Sequence, residues 1–139
     1  MPWASQSPWG KDGPLTEIGW EVYPCGLYDI VQRVSKDYKL PIKITENGCS
    51  YGDYPDANGR VADTRRMDYY REHLRELARA IHDGADVRGY HAWSILDNFE
   101  WSEGYTLRFG LAYIDFPTQR RYMKDSAKWF SKIVSTNTV

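Results

Sequence analysis

The chain has 139 residues, 42% of them hydrophobic, which is enough for one core and too few for several domains. A net charge of −1, from 18 Lys and Arg against 19 Asp and Glu, gives no electrostatic basis for binding nucleic acid or an anionic membrane surface. Two cysteines, Cys25 and Cys49, supply neither a disulfide framework nor a four-ligand metal site, and free thiols are expected, with a single bridge as the alternative. The N-terminus lacks a basic region followed by an apolar one, and no apolar run approaches the roughly 18 residues needed to span a bilayer. A soluble cytoplasmic protein is the expectation. Six Trp and eleven Tyr suit either a ring-filled core or a site that stacks on flat faces.

Residues 1–24 carry Pro2, Pro8, Gly10, Gly13, Pro14, Gly19 and Pro24, interleaved with Trp3, Trp9 and Trp20, and read as an aromatic-rich loop. From Gly26, Leu27, Ile30, Val31, Val34 and Tyr38 recur at helical spacing until Leu40-Pro41 ends the run. Ile42 and Ile44 then alternate as a strand over 42–45. Glu46 follows, and Asn47-Gly48 supplies residues that tolerate positive φ in a sharp turn. Residues 49–62 read as an exposed loop. Asp63 or Thr64 is the expected cap of a second helix that turns Met67, Tyr70, Leu74, Leu77 and Ile81 inward and stops at Gly84. Val87 to Ser94 is a strand, 95–106 a loop, and Leu107 to Asp115 extended segments broken at Gly110. Asp125 or Ser126 caps a last helix with Ala127, Phe130 and Ile133 inward.

This alternation of strands and helices implies parallel strands joined by crossovers, in one unit over 1–139: the loop 1–24, then 25–83, then 84–139. Two main strands are too few for a stable parallel sheet, and a (β/α)8 TIM barrel takes about 250 residues. The expected fold class is therefore α/β, the C-terminal portion of such a barrel and not a complete one. At the carboxyl end of a barrel strand, Glu46 would point into the active-site mouth; the plain alternative is a surface turn that begins with an acid. The stretch Tyr90 to Trp101 adds two indoles, a carboxylate and an amide, a mixture that suits a sugar. Equally, Trp93 and Trp101 could fill a core, with Glu100 a surface acid.

Four segments, Gly19-Trp20-Glu21-Val22-Tyr23-Pro24, Ile44-Thr45-Glu46-Asn47-Gly48, Trp93 to Trp101 and Arg108-Phe109-Gly110-Leu111, closely resemble in order and spacing the C-terminal part of family 1 glycoside hydrolases, the β-glucosidases. The resemblance implies a barrel whose seventh and eighth strands these are. It implies that Glu46 is the catalytic nucleophile of a retaining hydrolysis through a covalent glycosyl-enzyme. Such a nucleophile must be ionised, so hydrogen-bond donors are expected around it. By the same resemblance Glu100 holds hydroxyls 4 and 6 of the sugar, Trp101 contacts hydroxyl 3, Trp93 lies under the ring, Trp20 stands at the leaving-group subsite and Phe109 lines the glycone pocket. An anion near position 6 favours unphosphorylated β-D-glucosides or cello-oligosaccharides as substrate. The family's phospho-glycosidases have a serine and lysine phosphate site over this stretch.

The chain also departs from the family pattern. Retention needs a second carboxyl about 5–5.5 Å away, which the family carries in an Asn-Glu-Pro motif, and no Asn-Glu-Pro occurs here. Nothing in the spacing of Glu17, Glu21, Asp97 or Glu103 promotes one of them to general acid. Cys25 replaces a family acid, His91 an aromatic or small apolar residue, while His73 and His82 fit plain solvated or packed roles. No metal or other cofactor is expected. The alternative function is a non-catalytic carbohydrate-binding or remnant module, and the expected macromolecular partner is the N-terminal barrel part or a second copy.

Overall fold

Pro24 opens the first helix of the computed structural model, which describes residues 14–139. Residues 1–13 of the expected loop, Trp3 and Trp9 among them, lie outside the described residues. Helix α1, Pro24–Tyr38, has proline where the first helical N–H has no partner to lose, and it ends at Lys39 in the left-handed region just before Pro41. Strand β1 follows at Ile42–Asn47, helix α2 at Thr64–His82 and strand β2 at Val87–Ala92. A 3-10 turn, Trp101–Glu103, precedes a hairpin of β3, Ala112–Asp115, and β4, Arg120–Met123, and helix α3 closes the chain at Asp125–Thr136.

β1 and β2 pair in parallel, which requires the crossover that α2 provides. Val31 of α1, Leu74, Leu77 and Ala80 of α2, and Ala85 form one buried cluster. Ile42, Ile44 and Val87 of the sheet and Phe130 and Ile133 of α3 pack against it. On the opposite face Lys43, Thr45, Arg88 and His91 are exposed, so helices cover the sheet on one side only. No described helix is long and apolar enough to cross a membrane.

Several expectations shift. β1 extends through Glu46 and Asn47, so the acid ends a strand and does not begin a turn. In α2 the expected Tyr70, Leu74 and Leu77 are buried, whereas Ile81 is 47% exposed, and Arg66, Tyr69, His73 and Ala80 join the buried face, a charged side chain among them. Asp63 stands at the start of α2 without capping it. Its carboxylate accepts instead from Arg66 Nε at 3.0 Å, from the Ser126 amide at 2.8 Å and from the Ser126 hydroxyl, joining α2 to α3. α3 likewise starts after Lys124 with no side-chain cap. The β3–β4 hairpin is new: Arg120–Met123 is largely exposed, and its cross-strand pairing with Ala112–Asp115 defines it.

Candidate active site

Parallel strands leave a sheet at the same end, so the chain after β1 and the chain after β2 emerge side by side. Glu46 closes β1 with its side chain exposed. Its neighbour Asn47 points the other way: its side-chain amide donates to Tyr69 Oη at 3.2 Å, and its carbonyl oxygen accepts from Tyr90 Oη at 2.7 Å. A register irregularity sets this phase. From Ile44 to Asn47 is three residues on β1, opposite two from Tyr90 to Ala92 on β2, so one extra residue lies in β1. Ile44 and Asn47 thereby both meet the helix side, and Glu46 is left on the open face.

Gly48 comes next, and its backbone runs against β2. A Cβ built there would lie 1.7 Å from the Trp93 carbonyl oxygen. Neither Asn47 nor Gly48 has positive φ, so the expected turn chemistry is not why glycine stands here; the close approach of Trp93 is. That carbonyl also accepts from Tyr70 Oη at 3.1 Å, and the Trp93 amide donates to Asn47 O at 2.8 Å.

After β2 the chain passes half-buried Trp93 and reaches Glu100, whose amide donates to Gly104 O at 2.7 Å and closes a tight loop. Trp101 adopts φ 44 and is 81% exposed. A tryptophan in the left-handed region costs energy that packing does not repay at an exposed site, and such strain gathers at functional positions. Glu100 Oε2 is buried and finds no donor among the described residues.

Trp20 is 55% exposed and leans on Phe109, ring centroids 6.0 Å apart, while Phe109 itself is 2% exposed. Phe109 therefore backs Trp20 and presents almost none of its own surface. The turn that carries Trp20 is docked next to the β1 exit, with Glu17 N donating to Ser50 O at 3.0 Å and Ile18 N to Ser50 Oγ at 3.2 Å. A concavity of 450 Å³ opens beside the Glu100 loop, lined by Asn98, Phe99, Tyr105, Phe116 and Arg121 among others. Glu46 is not part of it, because the sheet face below Glu46 is bare and encloses nothing.

The Glu46 carboxylate makes no hydrogen bond among the described residues, which differs from the expected ring of donors; on its own sheet face Lys43 and Thr45 are exposed, and exposed His91 has its Nδ1 3.0 Å from the Ile44 carbonyl oxygen. Asp97, considered as a substitute acid, is committed elsewhere. Buried at 4% exposure, it accepts from Arg108 Nη1 at 2.8 Å, Gly110 N at 2.9 Å and Lys124 Nζ at 3.3 Å. Burial pushes the Lys124 ammonium down to about 8 and the Cys49 thiol up to about 12, and it also raises the Asp63 carboxyl. This buried polar layer escapes a sequence reading. The one signal for it was Arg66, Tyr70, His73 and Leu77 at helical spacing, which a search for apolar rows passes over. Among the described residues no group of His, Cys, Asp and Glu could hold a metal ion.

A sequence model of glycosyl hydrolase family 1 matches residues 4–139. β-Glucosidase A of Thermotoga maritima is 45% identical over 128 residues, covering 91% of this chain and 29% of that protein. A 6-phospho-β-galactosidase of Leptotrichia buccalis is 50% identical over 128 residues, covering 91% of this chain and 27% of that protein. The solved family 1 β-glucosidase of Thermotoga maritima in complex with glucoimidazole superposes with TM-score 0.90 at 44% identity, over 92% of this chain and 29% of that one. The chain thus spans under a third of the relatives' length, and its fold is the corresponding part of their barrel, not closed by itself.

Proposed function

The chain belongs to glycosyl hydrolase family 1, and from that premise we propose that it carries the nucleophile half of a retaining β-glucosidase site. Glu46 attacks the anomeric carbon of a terminal β-D-glucosyl residue, the bond to the leaving oxygen breaks, and water later releases the sugar with net retention. Glu100 accepts hydrogen bonds from hydroxyls at the far side of the sugar, Trp101 and Trp93 contact its faces, and Trp20 meets the leaving group. The observation that carries this reading is the parallel pairing of β1 with β2, which sends Glu46 and the Trp93–Trp101 loop out at one end of the sheet. The proton for the leaving oxygen must come from a carboxylic acid that these 139 residues do not contain in the Asn-Glu-Pro form.

An activated 2-fluoro glucoside has a leaving group good enough to need no acid, so it isolates the first step. Intact mass of the treated chain is expected to gain one fluoroglucosyl unit, and Glu46→Gln to gain none. An unlabelled, folded wild-type chain would sink the nucleophile reading. The relatives include both β-glucosidases and 6-phospho-β-galactosidases. Against the phosphorylated class stands the Glu100 carboxylate, whose buried oxygen would face a phosphate with no neutralising donor. Calorimetry is expected to find tighter binding of glucose than of glucose 6-phosphate, and the reverse order would assign the chain to the phosphorylated class. The missing acid motivates a second reading, a carbohydrate-binding module without turnover: glucose binding with no labelling is its signature.

A further inference from the structure

Arg66 is a fully buried guanidinium, at 0% exposure, in a position where α2 otherwise presents rings and aliphatic groups. All three of its nitrogens are used. Nε donates to Asp63 Oδ2 at 3.0 Å. Nη1 donates to the carbonyl oxygen of Cys49 and, at 3.4 Å, to that of Phe109. Nη2 donates to Tyr51 O at 3.2 Å, to Asp53 Oδ2 at 3.2 Å and to Arg108 O at 3.0 Å. Four of these acceptors are backbone carbonyls of two segments far apart in sequence. Cys49 and Tyr51 lie just beyond Glu46; Arg108 and Phe109 lie just beyond the Glu100–Trp101 turn. One backbone hydrogen bond runs directly between the segments, Tyr51 N to Arg108 O at 3.3 Å.

We propose that Arg66 is the positioning residue of this site: a single planar fork, rooted on α2 through Asp63, fixes the spacing between the chain that leaves Glu46 and the chain that leaves Glu100. The role given to those two acids rests on the reading above; the joining of the two segments does not. Lysine cannot replace it, because an ammonium offers three donors from one point and cannot reach acceptors spread around the edge of a planar group. Asp63 and Asp53 neutralise the buried charge, and Asp63 also holds Ser126 of α3, so the fork is anchored to two helices.

Hydrogen exchange by mass spectrometry on the 139-residue chain, wild type and Arg66→Lys, separates this role from general support of the core. Peptides covering 49–53 and 107–111 are expected to exchange about tenfold faster in the variant, with those of α2 and β2 unchanged. Equal protection of both segments in the two proteins would overturn the proposal, as would a uniform loss that includes α2 and β2. Labelling by the activated 2-fluoro glucoside adds a second readout. The maximal inactivation rate is expected to drop about 100-fold with little change in the half-saturating concentration, since Glu100 and Trp101 keep their own loop while the anomeric carbon is misaligned with Glu46. If Arg66→Lys does not fold, the wild type near its denaturation midpoint decides: the two segments opening in one correlated step supports the fork, and separate opening removes it. Failure of the wild type to label would discard the nucleophile reading and leave the exchange data to judge Arg66.

Discussion

At Gly48 the strand carrying the acid touches the strand carrying the indoles, and a single methyl group tests how tightly. Gly48→Ala would put its Cβ against the Trp93 carbonyl oxygen, a contact with backbone on both sides that no rotamer relieves. A loss of roughly 2–3 kcal/mol is expected in urea unfolding; a change under about 0.5 kcal/mol would mean that the two strands can part freely. The pair Asn47-Gly48 illustrates what residue identity tells and what it withholds. Both residues tolerate positive φ, which made them read as a turn. Asn47 is instead a bridge between the hydroxyls of Tyr69 and Tyr90, and Gly48 a clearance for a neighbouring carbonyl. The tyrosines that Asn47 bridges lie 22 and 43 residues away in sequence, and the carbonyl that Gly48 clears lies just beyond another strand, so neither reason is visible to a local pattern. Glu46, Glu100 and Trp101 were singled out because they stand in motifs whose order matches the family's. Arg66 was not, because nothing in a sequence announces that a charged side chain will be enclosed.

Helix α2 is the element on which most of the site depends, and one of its residues gives it a dependence on acidity. His73 is buried, stacks on Tyr69 with ring centroids 3.9 Å apart, and has Nδ1 2.7 Å from the Tyr69 carbonyl oxygen. A carbonyl only accepts, so Nδ1 carries the proton of the neutral ring. Burial lowers the His73 pKa below its ordinary 6.5. Because the folded value is depressed, the unfolded chain takes up the proton first on acidification. The contribution is complete above pH 6.5 and is lost as the pH falls from there through the lower folded value. Urea midpoints at pH 7.5 and pH 5 are expected to differ less in His73→Phe, which keeps the stacked ring, than in the wild type; equal drops would show that His73 takes up its proton as readily in the folded chain as in the unfolded one. Asp63, raised by burial, acts in the opposite sense, so the comparison between variants carries the test. Helices and the two parallel strands were legible at this scale from 3,4 spacing, alternation and the stops at Pro41 and Gly84. The β3–β4 hairpin was not, since Arg120 to Met123 acquires its strand character only from the partner it meets.

For the molecule as a whole, the decisive fact is a sheet of two strands with helices on one face. Among the described residues each strand has one partner, and its other edge leaves backbone donors and acceptors that invite a further strand. As a separate 139-residue polypeptide the protein is expected to associate, and its sedimentation coefficient to rise across roughly 10 to 200 μM; a concentration-independent monomer would show that the edges are protected. Alternating strands and helices sufficed to read parallel pairing, and length alone implied an unclosed barrel, but the bare face of Lys43, Thr45 and His91 is a consequence of what stands around it and has no sequence signature. The buried oxygen of Glu100 has a cost that the whole fold carries. An acceptor stripped of water and given no donor subtracts about 1–3 kcal/mol from the stability of the molecule. For stability alone an apolar residue in place of Glu100 would serve better; under the function proposed above, recognition and endurance pull in opposite directions at this position. Under the function proposed above, a hydroxyl arriving at that oxygen would find it already dehydrated, so part of the expense of binding would be met when the chain folds.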